Sequence, residues 1–192
     1  MRLLFILAAA VCFSLPGQPQ PVESHPLTPL PIQHTRIQDD FWTPKIEVWR
    51  TVTIPDCLDK FEKDRAFDNF DRVRDGKSGE HAGPSFFDGL VYETIRGSAD
   101  FLTARPDPAL EQRLDGYIER IAAAAAKDPD GYLNTWTQLT APEKRWGLNG
   151  GNEVEQHDVY NAGALVEAAI HYYRATGKTT LLQTATRLAN HR

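Results

Sequence analysis

Polar side chains crowd the start of an otherwise apolar run. Gln156, His157, Asp158, Tyr160 and Asn161 stand there, and from Val159 to Tyr173 the only formally charged residue is Glu167. His157, Tyr160, Asn161 and Ala164 are spaced i, i+3, i+4, i+7, which puts them on one helical face. An imidazole, a phenol and a carboxamide on one face can exchange hydrogen bonds with a hydroxylated ligand. Polar groups at the mouth of an apolar helix are what a ligand pocket requires. The imidazole also suits a plain capping or core-satisfying role. Asp88 and Tyr92 stand at the start of a second apolar stretch and could line the same mouth, although Asp88 equally suits a helix cap. Trp136 and Trp146 read as loop residues, either anchors or platforms on which a sugar ring stacks. On a substrate with a carboxylate, His157, Tyr160 and Arg145 have the proton-transfer chemistry of a polysaccharide lyase.

Thiol chemistry is sparse. The two cysteines are Cys12 and Cys57. Cys12 lies in an N-terminal apolar run read as removable, so Cys57 alone remains. One thiol excludes an intrachain disulfide and a thiolate-rich metal site built from this chain alone. Cys57 sits among apolar neighbours on a helical pattern and reads as packing.

The elements that must position these groups are helical. The spacing predicts one helix near 153–176. Asn152 would cap it, with Glu155 completing a capping box, and Gly177 would close it in the left-handed conformation. A helix apolar on nearly every side belongs inside a larger α-structure. Further helices are predicted near 86–104, 108–127 and 180–192. Asp107 and Pro108 form a cap and first-turn proline. Leu110, Leu114, Tyr117, Ile118, Ile121 and Ala125 make one apolar stripe opposite Glu111, Asp115 and Glu119, so this helix is outer. Phe101 to Leu110 echoes Tyr172 to Leu181 at a constant offset of 71 (172 − 101 and 181 − 110). Each is an apolar inner helix, a tight turn and an outer helix, the unit of a toroid of helical hairpins. Nearer the start, Thr43 and Pro44 suit a helix start, and Thr53-Ile54-Pro55 is expected to break and restart that helix. Lys60 to Glu80, dense in charge, reads as a long surface loop anchored by Phe67, Asn69 and Phe70.

Composition is that of a globular protein: 41% hydrophobic, 24% charged, net charge −5. No basic run tracks phosphates, so nucleic acid is not an expected partner. Residues 1–17 read as a signal peptide, with Arg2 ahead of an apolar run too short to span a bilayer. This implies a secreted or periplasmic protein without stable membrane insertion after cleavage. Residues 18–38 read as an extended, proline-rich leader. Residues 39–192 read as the N-terminal portion of a larger domain, because the helical pattern of 180–192 stops without a cap or turn.

Several pieces, in order, resemble glycoside hydrolase family 127, the β-L-arabinofuranosidase family of six-hairpin α/α-toroid glycosidases. They are Asp40-Phe41-Trp42, Thr53-Ile54-Pro55, Asn69-Phe70, Phe86-x-Asp88-x-x-Val91-Tyr92, Gly131-Tyr-Leu-Asn-Thr135, Arg145-Trp146, and His157-x-x-Tyr160-x-Ala162-Gly163 through Thr176-Gly177-Lys178. The resemblance implies a retaining glycosidase with a zinc-held cysteine thiolate as nucleophile and a glutamate as acid/base. Those groups are expected beyond Arg192, so no catalytic residue and no metal ligand is assigned within this chain; zinc is expected only in a full-length protein. What carries over is sugar binding: the family histidine at His157 contacts arabinofuranose, and Asp88, Tyr92, Tyr160, Trp136 and Trp146 are the companion candidates. The family often has an acid at Leu90, and Cys-Ala-Gly-His where this chain has Asn161-Ala-Gly-Ala164. The implied function is hydrolysis of terminal arabinofuranosyl or related sugars from glycans. A toroid-fold lyase and a non-catalytic carbohydrate-binding piece remain as alternatives.

Overall fold

The computed structural model describes residues 27–31 and 34–190. The expected signal peptide, and most of the expected leader, lie outside the described residues. Among the described residues there are nine α-helices and no β-strand.

The first helical stretch is continuous where a break is expected. α1 (Trp42–Val48) runs through a π-helical turn (Trp49–Thr53) into α2 (Ile54–Lys63). Pro55 has no N–H to give, and its ring crowds the carbonyl four residues back. Widening the preceding turn to π geometry accommodates both without ending the helix. Asp39, not Thr43, caps α1. Its Oδ1 accepts from Phe41 N at 2.9 Å and from Trp42 N, while Thr43 Oγ1 accepts from Asp39 N at 3.1 Å. The carboxylate satisfies two of the orphan donors of the first turn at once.

The segment 60–80 is mostly helix, which corrects the expected loop. α2 extends to Lys63, and α3 spans Ala66–Arg74. The apolar side of α3 is core: Ala66, Phe67, Phe70 and Val73 are buried, and Phe67 stacks on Tyr117 with centroids 3.8 Å apart. The charge density that suggests a loop flanks that side, with Asp71 and Arg74 four residues after Phe67 and Phe70. There Arg74 pairs with Asp71 at 2.7 Å, and Arg120 reaches the same Asp71 at 2.5 Å.

Two hairpins follow, α4 (Phe87–Ala104) with α5 (Pro108–Ala125), and α8 (Asp158–Thr176) with α9 (Thr180–Ala189). Between them lie the short α6 (Thr135–Thr140), a 3-10 segment (Pro142–Gly147) and α7 (Glu153–Gln156). The caps at the hairpin turns are as the spacing predicts. Asp107 Oδ1 accepts from Leu110 N at 3.1 Å with Pro108 in the first turn, and Gly177 closes α8 at φ 75°.

Side-chain pairs set the register between hairpins. Gly89 meets Asn161, Arg96 meets Glu167 and Asp100 meets His171, at sequence separations of 72, 71 and 71. Constant separation means that α4 and α8 run parallel and in step. The outer pair repeats this: Lys178 bridges to Glu111 and Asp115 near the start of α5, and Arg187 donates to the Asp128 and Pro129 carbonyls just past its end. The sequence echo is therefore the structural repeat. Leu110 and Leu181, equivalent in the two hairpins, are both buried, as are Ile95, Leu114, Ile121, Leu165 and Ala169 around them. Burying each large aliphatic side chain contributes about 1.5–3 kcal/mol. The flank of α8 away from α4 is open: Val159 is 65% and Tyr173 44% exposed.

Candidate functional site

Because α4 and α8 are parallel, their starts share one end of the structure. The expected single helix over 153–176 is interrupted there. α7 ends at Gln156, His157 takes the left-handed conformation (φ 59°, ψ 29°), and α8 begins at Asp158. Asn152 caps α7 through Val154 N at 3.1 Å rather than Glu155 N, which bonds the Asn152 carbonyl instead. A left-handed histidine costs roughly 1–2 kcal/mol, so the surroundings must impose it.

Asp158 does so. It is 1% exposed, and both its oxygens are occupied. Oδ1 accepts from Tyr132 OH (2.6 Å), Asn134 Nδ2 (2.5 Å) and Thr137 Oγ1 (3.3 Å). Oδ2 accepts from Trp146 N (2.8 Å) and Gln156 Nε2 (3.3 Å). Asn134 Nδ2 also reaches the Gln156 carbonyl at 2.9 Å, and Glu153 Oε1 accepts from Val159 N at 2.6 Å. A buried carboxylate must collect such donors to remain buried. Collecting them bends the chain at His157.

The imidazole is itself held. His157 Nδ1 lies 3.0 Å from the Glu155 carbonyl and 3.2 Å from Ser85 Oγ, whose hydroxyl also donates to that carbonyl at 2.5 Å. A carbonyl only accepts, so Nδ1 bears the hydrogen and Nε2 is an acceptor. The ring sits between Phe86 (centroids 5.2 Å) and Tyr160 (5.9 Å, edge-on). Tyr160 OH donates to Glu93 Oε1 at 3.0 Å, and the phenol ring lies over Gly89, where a Cβ would overlap Tyr160 Cε1. His157, Tyr160, Glu93 and Phe86 thus form the rim of the mouth. A groove of ≈ 1060 Å³ opens beside it along α8, lined by Tyr160, Glu93, Val159, Gly163, Trp146 and Leu148.

Asp88 and Tyr92 are at the same end but beneath the rim. Asp88 is 2% exposed; its oxygens accept from Thr135 N (2.7 Å) and Thr135 Oγ1 (2.6 Å). Burial pushes its carboxyl up to about 6, against the Thr135 hydrogen bonds. Thr135 Oγ1 continues to His81 Nε2 at 3.1 Å, which also faces Asn69 Nδ2 at 3.1 Å. Burial pushes the His81 imidazole down to about 4. Tyr92 is fully buried, its phenol raised far above the usual range by burial first and then by Asp88, and its hydroxyl has no hydrogen-bond partner among the described residues. Both side chains support the mouth from below.

The tryptophans are more structural than their expected loop setting suggests. Trp136 belongs to α6, half-buried. Trp146 is left-handed (φ 57°), packs edge-on against Tyr132 at 5.2 Å, and forms one wall of the groove. Arg145 pairs with Asp128 at 2.8 Å and lies over the Tyr132 ring at 4.6 Å. That holds its guanidinium against the 128–132 turn, so a lyase-type role for it draws no support here.

Among the described residues no group of three or more His, Cys, Asp or Glu side chains could hold a metal ion, and Cys57 is half-buried on α2. The described residues therefore do not fit a zinc centre. No helix among the described residues is long and apolar enough to cross a membrane.

Residue typing alone passes over Ser85, Glu93, Asn134 and Thr135. The signal for the last two is the Gly131–Thr135 run, one of the pieces that carry the family resemblance, which supplies donors to Asp158 and Asp88.

Comparison with known proteins agrees with the helical architecture. The family model described as β-L-arabinofuranosidase, GH127 catalytic domain, matches residues 34–192. A non-reducing end β-L-arabinofuranosidase of Bifidobacterium longum subsp. longum is 33% identical over 116 residues, 58% of this chain and 17% of that protein. A solved β-L-arabinofuranosidase of the same family from Geobacillus stearothermophilus superposes with a TM-score of 0.74 at 34% identity, over 81% of this chain and 25% of that one. A second solved β-arabinofuranosidase of the family gives 0.75 at 30% identity, over 84% and 26%. The chain thus spans about a quarter of the length of these solved relatives, and its parallel hairpins are those of an α/α toroid. It belongs to glycoside hydrolase family 127, the β-L-arabinofuranosidase family.

Proposed function

We propose that this chain is the sugar-binding, N-terminal part of a secreted, retaining β-L-arabinofuranosidase that removes terminal arabinofuranosyl or related sugars from glycans. The observation that carries the reading is the fixed imidazole of His157. Its Nδ1 is committed to the Glu155 carbonyl, which leaves Nε2 for a ligand at the end shared by the starts of two parallel helices. An acceptor held in this way recognises a sugar hydroxyl with little entropy left to lose. The apolar edge of Phe86 and the ring of Tyr160 complete a surface suited to a furanose. Retaining hydrolysis further needs a nucleophile and an acid/base flanking the scissile bond. We assign neither within residues 1–192. Secretion rests on the signal-like residues 1–17.

The test is the complete gene product that carries this sequence, assayed on an aryl β-L-arabinofuranoside with the anomeric form of the released sugar followed by NMR. Turnover with retention is expected. His157→Asn, a residue that tolerates the left-handed backbone, is expected to lower kcat/KM about 10- to 100-fold, the value of one well-placed hydrogen bond. Unchanged kcat/KM would remove His157 from the sugar site.

A further inference from the structure

We infer that Glu93 is a second substrate-contacting residue, reading a sugar hydroxyl next to the one that His157 holds and so setting which sugar is accepted. The inference rests on the sugar-pocket reading given above. Glu93 lies on α4, one turn after Gly89, with its side chain exposed at the rim. Tyr160 OH fixes one carboxylate oxygen at 3.0 Å. The same Tyr160 packs edge-on against the His157 ring, and it can come so close to α4 only because residue 89 has no Cβ. One phenol therefore ties the two groups to each other. Burial and the hydrogen-bonded carboxylate raise the Tyr160 phenol, so it keeps its proton and stays a donor to Glu93.

What Glu93 lacks is also informative. The neighbouring acid Glu167 pairs with Arg96 at 3.2 Å, and Asp100 pairs with His171 at 2.7 Å. Glu93 pairs with no cation among the described residues. A carboxylate has lone pairs for about four hydrogen bonds, and the phenol occupies one. The rest are open to a ligand in the groove that Glu93 lines. Two oriented acceptors, His157 Nε2 and the Glu93 carboxylate, match a ligand offering two hydroxyl donors, as a furanose ring does. A sugar lacking one of them would cover an acceptor without giving it a hydrogen bond, the kind of mismatch by which a site built to bond a hydroxyl rejects deoxy analogues.

The experiment uses the complete gene product, an aryl β-L-arabinofuranoside and its three monodeoxy analogues. Besides the analogue that lacks the hydroxyl held by His157, the wild type is expected to lose about 10- to 100-fold in kcat/KM on one further analogue, the range for a hydrogen bond to a charged group. Glu93→Ala is expected to lose a similar factor on the parent sugar and nothing further on that analogue. Tyr160→Phe, which frees the carboxylate without removing it, should fall between, with Glu93→Gln retaining part of the discrimination. Thermal midpoints should stay at the wild-type value, because Glu93 is exposed. Full discrimination against all three analogues in Glu93→Ala overturns the inference. If His157→Asn impairs the parent reaction while Glu93→Ala does not, this inference alone fails. If neither variant matters, or the wild type does not turn over the parent, the sugar-pocket reading fails with it.

Discussion

Gly89 and Asn161 lock α4 to α8: the Gly89 N–H donates to Asn161 Oδ1 at 3.0 Å, while Asn161 Nδ2 donates to the Ser85 carbonyl at 3.1 Å. A fully buried side chain of one helix thereby satisfies backbone groups at the start of the other. No side chain fits at residue 89, where a Cβ would overlap Tyr160 Cε1 and lie 2.9 Å from Asn161 Oδ1. Gly89→Ala gains about 1 kcal/mol of helix propensity but forces the seam apart, at about 1–3 kcal/mol. A lower urea midpoint is expected; a raised one would show that the seam yields freely.

The buried pair beneath the mouth should reveal itself by pH. Unfolded Asp and His titrate near pH about 3.9 and 6.5. Folded Asp88 is raised to about 6, so its contribution to stability is full below pH about 4 and is lost as pH rises through 6. Folded His81 is depressed to about 4, so its contribution is present above about 6.5 and is lost as pH falls towards 4. The two oppose each other across the same window. At about 1.4 kcal/mol per pH unit, the Asp88 part alone is worth about 3 kcal/mol. Asp88→Asn is expected to make stability fall more steeply than the wild type as pH drops from 6.5 to 4. His81→Gln should give the opposite slope. Urea midpoints at four pH values decide it, and parallel curves for all three proteins would refute the opposition.

Asp158 is the second buried carboxylate, with five donors aimed at it. Asp158→Asn replaces an acceptor with a donor facing donors. A loss of about 3 kcal/mol is expected, within the range for breaking a buried charged group away from its partners. Amide exchange at Trp146, whose N–H binds Oδ2, should accelerate together with that at the start of α8. Protection of Trp146 equal to wild type would mean that the loop holds itself.

Much of this was readable in residue order. The apolar run after His157 announces an inner helix, and the offset of 71 between the two hairpins became the register of Arg96 with Glu167 and Asp100 with His171. The break at His157 carries no glycine or proline to mark it. It is imposed by Tyr132, Asn134 and Thr137, more than twenty residues away, through Asp158. α3 was hidden because charges flank its apolar side, with Asp71 and Arg74 standing four residues after Phe67 and Phe70, and charge density without clear phase reads as loop. Asp88 and Tyr92 have the same types and spacing whether they face a ligand or the core. Only the position of Thr135 shows that Asp88 faces inward.

The last prediction concerns what residues 18–192 do alone. Cys57, half-buried on α2, belongs to no group of three or more His, Cys, Asp or Glu side chains that could hold a metal ion, so among the described residues it has no metal site to activate a thiolate for nucleophilic attack. Retaining hydrolysis needs a nucleophile and an acid/base on opposite sides of a glycosidic bond, and we assign neither among the described residues. The open flank of α8 leaves Val159 and Tyr173 in solvent, with Leu148 (58%) and Val154 (80%) exposed nearby in sequence. Contiguous apolar surface of several hundred Å² typically drives association. Purified 18–192 is therefore expected to self-associate in size-exclusion chromatography and to leave an aryl β-L-arabinofuranoside unhydrolysed. Cys57→Ser in the complete gene product should keep wild-type kcat/KM. Turnover by 18–192 that survives Cys57→Ser would place a nucleophile elsewhere in this chain, and loss of turnover in the complete Cys57→Ser variant would make Cys57 part of the chemistry.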